Sequence, residues 1–400
     1  MTPGCAVTVP EVTLYPYTRA SINVKDTVDD EFDVSTKVVS DLQIIAERAM
    51  YWNTPETKRQ AAHDSIGVTA PDTIWYLAEG STGVDQQGST FETWICLMNP
   101  GGSPANAEVI YMTPDGPEIG PVIELGPRSR ASVNVSDTVD DEFSVSTMVI
   151  ADAPIVAERA VYYTTPAMKN QAAHCSKGTN APYFHWFLAE GSTGTDHEGN
   201  SFETWICIQN PSIEAAEVAL TYMTPKGEIR GPEITLEGLS RTSINVGDTV
   251  DDEFSVSTRV DATEPVIAER AMYYNSTTMA RQAAHCSIGV TGASDVWMLA
   301  EGSTGSDDTG SFETWICLQN PGDEDTTVVL MYNTAQGPVM SDPISVGAGS
   351  RKSVSVADTV PNNWDVSTIV IAEAPVIAER AMYWSTPALF RQAAHCSIGY

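Results

Sequence analysis

Residues 75–83, WYLAEGSTG, decide the fold, because the same pattern returns at residues 186–194 and 297–305. Successive copies begin 111 residues apart, at Trp75, Trp186 and Trp297. Four further strings follow in a fixed order within each unit: FETWIC, an Asn-Pro pair, AERA and QAAH. A period of this length indicates a chain of repeated domains, each with its own core.

The repeats divide the chain into three whole units, 75–185, 186–296 and 297–400, and one partial unit, 1–74. Residues 1–74 match only the later two-thirds of a unit, with Met1 aligned to Met112. We therefore expect either a piece of a longer array or a module boundary elsewhere in the cycle. The sequence leaves both possibilities open.

Short β-strands are indicated throughout each unit. Residues 217–222 alternate large apolar with small or polar side chains, and residues 204–208 are rich in β-branched and aromatic types before the turn signal Asn210-Pro211. Gly, Pro and Asp clusters separate such segments. We predict an all-β fold, a tandem array of immunoglobulin-like β-sandwich modules of about 111 residues. A β-propeller is the alternative.

Six of the seven cysteines occupy two positions of the unit. The first unit lacks the FETWIC strand and has Asp64 in place of the second cysteine, so both half-cystines are missing together. We predict one disulfide within each whole unit and an unpaired Cys5: Cys96–Cys175, Cys207–Cys286 and Cys317–Cys396. Such bridges indicate an oxidising, exported setting, and six buried free thiols in a cytosolic protein are the alternative.

Several strings together resemble a repeat found in large secreted proteins of actinobacterial-type bacteria: WxLAEGST from Trp75, FETWI from Phe91, Asn99-Pro100 and AERAMY from Ala46. The resemblance covers essentially the whole chain. It implies export and an extracellular or cell-surface location, and it implies no activity.

The charge excludes some functions. With 21 Lys and Arg against 53 Asp and Glu, the formal net charge is −32, and such a field repels nucleic acids and anionic membranes. We expect neither nucleic-acid binding nor membrane insertion.

Two groups of residues are candidates for chemistry. His174 and Cys175 are neighbours on a strand, so their side chains point to opposite faces and cannot readily share a proton. The acidic string DTVDDEF offers oxygen ligands for calcium, although a solvated acidic turn explains it equally well. The calcium candidates are Asp137, Asp140, Asp141, Glu142, Asp248, Asp251, Asp252 and Glu253.

Charged residues at strand positions predict a polar network that fixes each sandwich, with Arg241 as a partner for Glu269 and Glu190 for Arg270. Its expected members are Glu79, Arg130, Glu158, Arg159, Glu190, Arg241, Glu269 and Arg270. In the FETWIC strand, tryptophans alternate in phase with the cysteines and are expected to pack on the bridges in the core. Trp52 and Trp384 are expected at the surface.

These patterns favour an extracellular structural protein without catalysis or cofactor, such as a stalk, a surface-layer element or a filament subunit. Its partners would be further copies of itself or other cell-surface components. In an extended row, the modules would reach roughly 100 Å. The alternative is a multivalent carbohydrate- or ligand-binding adhesion array.

Overall fold

The computed structural model describes residues 1–4, 6–9, 11–55 and 57–400, so the predicted unpaired Cys5 lies outside the described residues. The predicted fold class is confirmed: the chain is all-β, and its sheets form a tandem series of sandwich modules. No helix among the described residues has the length and apolar character needed to cross a bilayer.

The second module shows the common plan. Its strands are β3 (Asp72–Leu77), β4 (Thr90–Asn99), β5 (Ala105–Thr113), β6 (Gly116–Leu125), β7 (Ser129–Asn134), β8 (Ser146–Thr165) and β9 (Met168–Lys177), with a 3₁₀ turn at Val135–Asp137. The first half of β8 pairs with β5 and β3, and its second half pairs with β4 and β9. Two antiparallel sheets therefore share one long strand.

Pro154 lies where β8 passes from one sheet to the other. Pairing with β5 ends at Ala151, and pairing with β4 begins at Val156. Proline has no backbone N–H to give to a ladder, so this crossing is a position where it costs no hydrogen bond. The third and fourth modules carry Pro265 and Pro375 at the corresponding positions.

The third and fourth modules repeat the plan. The third has β10 (Tyr183–Leu188), β11 (Ser201–Asn210), β12 (Ala216–Thr224), β13 (Gly227–Leu236), β14 (Ser240–Asn245), β15 (Ser257–Ser276) and β16 (Met279–Ile288), with a 3₁₀ turn at Val246–Asp248. The fourth has β17 (Ser294–Leu299), β18 (Ser306–Asp307), β19 (Gly310–Asn320), β20 (Thr326–Thr334), β21 (Gly337–Met340), β22 (Ile344–Val346), β23 (Ser350–Ser355), β24 (Ser367–Ser385) and β25 (Ala393–Ile398), with a 3₁₀ turn at Val356–Asp358.

The first module contains one hairpin, β1 (Glu47–Trp52) paired with β2 (Ala61–Ile66), after a 3₁₀ turn at Val24–Asp26. The other described residues before Glu47 form no strand.

Each whole module has its own apolar core between its two sheets, as a sandwich requires. In the second module this core contains Trp75, Ile95, Val109, Tyr111 and Val149, all at most 3% exposed. The indole of Trp75 donates to the carbonyl of Ile155 at 2.9 Å, which satisfies its buried N–H. The Trp of the repeated WxLAEG string is thus a core residue of the sandwich.

Candidate functional site: the central ring of hairpins

The four modules meet through the second strand of their last hairpin. β2 contacts β9 and β25, and β16 contacts the same two strands. These four strands, here called the central ring, therefore close on themselves, and the last module touches the first. The string AAH[D/C]S is buried at every position in all four. Burial on both faces is possible because each strand lies between its own module and a neighbour.

One glutamine in each module links it to the next. The Nε2 atom of Gln60 donates to the carbonyls of Lys169 and Asn170 at 2.8 and 3.0 Å. Gln171 and Gln282 do the same one and two modules later. Gln392 closes the cycle by donating to the carbonyls of Lys58 and Arg59, both at 3.0 Å.

A second cycle is made by buried arginines. Arg159 binds Glu79 of its own module at 2.9 Å and Glu269 of the next at 2.5 Å. Its Nη2 also donates to the sulfur of Cys286 at 3.0 Å. Arg270 makes the equivalent contacts with Glu190, Glu379 and Cys396.

The arginine cycle also closes between the last and first modules. Arg380 binds Glu47 at 2.5 Å, and it binds Asp64, which replaces the cysteine of the other modules, at 2.9 Å. Arg48 reaches Glu158 at 3.2 Å and the sulfur of Cys175 at 3.1 Å. At each of the four junctions, the guanidinium group of the AERA string is therefore aimed at the neighbouring module.

Burial governs the ionisation of these groups. It would lower the pKa of Arg159, but Glu269 and Glu79 raise that pKa well above its usual value. Burial raises the pKa of Glu269, and the guanidinium of Arg159 partly offsets this rise. Arginine does not lose its proton in proteins, so the carboxylates serve as its counter-charges.

Four histidines line the same junctions. The pKa of His63, His174, His285 and His395 is lowered well below 6.5, first by burial and then by neighbouring guanidinium groups. His285 Nε2 lies 3.3 Å from the hydroxyl of Tyr383 in the next module. The imidazoles are therefore neutral at neutral pH.

The predicted disulfides are wrong, because all six described cysteines are free. Cys96 is on β4 and Cys175 on β9, and β8 lies between these strands. Strands two places apart are about 9–10 Å apart, whereas a disulfide needs Cα atoms within about 7 Å. Cys207–Cys286 and Cys317–Cys396 fail for the same reason, since β15 and β24 intervene.

Three of the thiols, those of Cys175, Cys286 and Cys396, instead contact neighbouring modules. Cys175 Sγ lies 3.0 Å from Nδ1 of His63 and donates to the carbonyl of Asp64 at 3.1 Å. Burial raises the pKa of Cys175 to about 12, although Arg48 lowers it. His174 and Cys175 do not form a pair with each other, and the buried thiol is protonated at neutral pH.

The predicted polar network lies largely between modules rather than within each sandwich. Arg270 does bind Glu190, at 3.0 Å. Arg241 does not bind Glu269; its side chain donates to the carbonyl of Ala78 at 3.1 Å. Arg130 binds Asp33 at 3.1 Å.

The tryptophans of the FETWIC strand do not pack on disulfides in the core. In β4 the side chains of Phe91, Thr93, Ile95 and Leu97 are buried on one face, and Trp94 points to the other face. Trp205 packs instead against an apolar cluster formed by the second and third modules. The expectation of a surface position is also wrong for Trp384, which is 1% exposed.

At three junctions, an arginine side chain stacks on aromatic rings of the two modules that meet there. Arg281 lies 5.0 Å from the ring centre of Tyr273 in its own module and 5.2 Å from that of Phe91 in the preceding one. Arg391 and Arg59 make similar contacts at the next two junctions. Such cation–π contacts add attraction between modules.

Two groups of side chains have the composition of a metal site: Glu79, His174 and Cys286, and Asp64, Glu301 and His395. In the first, Arg159 already contacts Glu79 and Cys286. In the second, Arg380 contacts Asp64 and approaches Glu301 at 3.9 Å. A guanidinium group therefore supplies the cation for these ligand atoms.

The acidic strings predicted as calcium ligands belong to neither group. Oδ1 of Asp141 accepts from the backbone N–H of Val84 at 2.9 Å, and Asp252 does the same with Thr195. Phe143, at the end of the string, covers Gly83, where a Cβ atom would lie 2.6 Å from the ring. The acidic string therefore holds the GSTG turn in place, and this contact explains why the two strings recur together.

No protein-family profile and no curated protein match the chain. Among solved structures, protein 1070 of Thermotoga maritima aligns at 14% identity over 28% of this chain and 96% of its own, with a TM-score of 0.24. The Anabaena sensory rhodopsin transducer aligns at 22% identity over 22% and 96%, with a TM-score of 0.19. A tetra-tandem repeat from the extending region of a large adhesion protein aligns at 8% identity over 84% and 75%, with a TM-score of 0.12.

The glutamine cycle was missed from the sequence, although Gln begins the repeated string QAAH. Two small alanines followed by His and Cys, all within one strand, were the available signal. Such a run fits a strand that is covered on both faces.

Proposed function

We propose that this chain is a structural or adhesive repeat protein without catalytic activity. The main support is the position of its reactive groups. The histidines and cysteines of the repeated QAAH[D/C] string converge with arginines and glutamates at the module junctions, where they are buried. This arrangement joins modules and gives a substrate no open access to the four buried imidazoles or to the thiols beside them.

We further propose that it acts outside the cell, at a cell surface, through contacts with copies of itself or with other surface components. With free cysteines, disulfides no longer support this location. It is supported by the sequence resemblance to secreted repeats and by the net charge of −32. Such a charge favours a soluble surface that does not bind nucleic acid.

The test is co-sedimentation of the purified chain with cell envelopes of the producing organism, combined with electron microscopy of the chain alone. We expect retention on envelopes or ordered assemblies, and both should decrease for the double variant Glu47→Ala/Arg380→Ala, which weakens ring closure. Absence of both from the intact chain would contradict the proposal.

A multivalent ligand-binding role is the second candidate, and one observation favours it. Asp85, Asp196 and Asp307 each fold the same turn by accepting backbone N–H groups, and the exposed residues of these turns differ. Three equivalent polar turns could bind a repeating polysaccharide. Titration calorimetry with soluble polysaccharides should then give about three sites per chain.

A further inference from the structure

The first module has an unpaired strand edge. In the second module, the second half of β8 lies between β9 and β4, and Glu158 pairs with Cys96 while Val161 pairs with Thr93. In the first module, β1 corresponds to this half-strand, and among the described residues it pairs only with β2. Its other edge has no partner strand in the described part of the chain.

Exposure shows that this edge is open. Met50 of β1 is 39% exposed, whereas Val161, Met272 and Met382 at the equivalent positions are at most 1% exposed. An edge strand with free backbone groups and apolar side chains is a template for an added strand.

Arg48, which lies behind this edge, lacks the carboxylate of its own module that Arg159 and Arg270 bind. The side chain of Arg48 is 36% exposed, whereas those of Arg159 and Arg270 are fully buried against Glu79 and Glu190. Residues 1–74 hold no counterpart of the LAEGST string that supplies these glutamates. A segment that fills the gap would place a carboxylate between Arg48 and His63.

The core positions of the first module are exposed in the same way. Leu14 is 42% exposed and Val38 is 56% exposed, while the equivalent Leu125 and Val149 are at most 1% exposed. In the second module, side chains from β3, β4 and β5 cover these positions. The pseudo-symmetry of the ring therefore specifies what the missing cover looks like.

We propose that the first module is an acceptor site for a polypeptide segment of the repeat's own pattern. The segment would carry counterparts of residues 75–111, namely the strings WxLAEGST, FETWIC and Asn-Pro in that order. It would pair along β1 in the register of β4 along β8, cover the exposed apolar positions, and bring a glutamate to Arg48.

The test adds a synthetic peptide of residues 75–111 to the full chain. We expect uptake of one peptide per chain, with slower hydrogen exchange at residues 47–52 and burial of Met50. A control peptide with Ile95→Asp and Leu97→Asp places two carboxylates in the core and should bind at least about tenfold more weakly.

A second pair of peptides tests whether the carboxylate of Glu79 binds Arg48. A peptide with Glu79→Gln should bind the natural chain more weakly than the original peptide does, and this difference should disappear in the Arg48→Met chain. The proposal is overturned if exchange at residues 47–52 does not change, or if the Asp-bearing peptide binds equally well. It is also overturned if β1 is already protected in the chain alone, because the first module then has no open edge to accept a segment.

Discussion

Arg270 illustrates how single residues hold the modules together. It is fully buried between Glu190 and Glu379, and a buried ion pair is costly to form but much costlier to leave half-broken. Arg270 therefore stabilises the folded chain mainly because it is the counter-charge of both buried carboxylates.

We expect Arg270→Met to lower the free energy of unfolding by about 3–5 kcal/mol, since two buried carboxylates would lose their partner. Urea denaturation measures this change. The control is Arg230→Met, because Arg230 pairs with Glu233 on the surface and is 79% exposed. Equal effects of the two variants would show that the junction is solvated.

The free cysteines give a second prediction at this scale. Burial raises the pKa of Cys207 to about 11, so the native thiol is protonated and shielded. Under non-reducing conditions, a thiol reagent should label the six described cysteines in denaturant and react slowly with them in the native protein. Peptides joined by a disulfide in mass spectrometry would contradict the structure.

The buried histidines predict sensitivity to acid. Unfolded imidazoles gain protons as pH falls through about 6.5, whereas His63, His174, His285 and His395 stay neutral because their pKa is lowered. Unfolding then takes up protons, so the free energy of unfolding falls as pH falls below about 6.5. The raised pKa values of Asp64, Glu269 and Glu379 act in the opposite sense. These folded carboxyls take up protons as pH falls through their raised pKa, and their effect is complete once pH is below the unfolded values of about 4.

The pH effect can be assigned to a residue. His285→Gln should reduce the slope of unfolding free energy between pH 5.5 and 6.5 by up to about 1.4 kcal/mol per pH unit. His197→Gln is the matched control, because the His197 side chain is 91% exposed. An unchanged slope in His285→Gln would show that its imidazole is charged in the folded chain.

At the scale of elements, the last hairpin of each module forms the joint. Gln282 donates to the carbonyls of Phe390 and Arg391 in the next hairpin. Gln282→Ala leaves both carbonyls without this donor and should cost about 1–3 kcal/mol. Hydrogen exchange should accelerate at residues 385–393, and Gln86→Ala, in an exposed turn, should leave it unchanged.

The strands and the repeat were predictable because strand periodicity and turn residues act locally. The alternation in FETWIC correctly placed Trp94 and Cys96 on one face, but it could not tell which face meets the core. In this strand both faces are covered, one by the sandwich and the other near a module junction, so hydrophobicity does not distinguish them. The disulfide prediction failed for another reason: the sequence does not show that β8 lies between β4 and β9 in the sheet.

At the scale of the molecule, the sequence could not distinguish a row of modules from a ring. Identical junctions occur in both, and only the last contact differs. Here Gln392 reaches Lys58 and Arg380 reaches Glu47, so the first hairpin serves as the neighbour of the fourth module. The extended row reaching roughly 100 Å is therefore wrong.

Closure of the ring is tested most directly by small-angle X-ray scattering from the monodisperse chain. Compact packing of 400 residues predicts a radius of gyration near 21 Å, up to about 25 Å with the exposed first module. A row of modules about 100 Å long would give about 30 Å or more. A value in the lower range supports the closed ring, and a value in the upper range would contradict it.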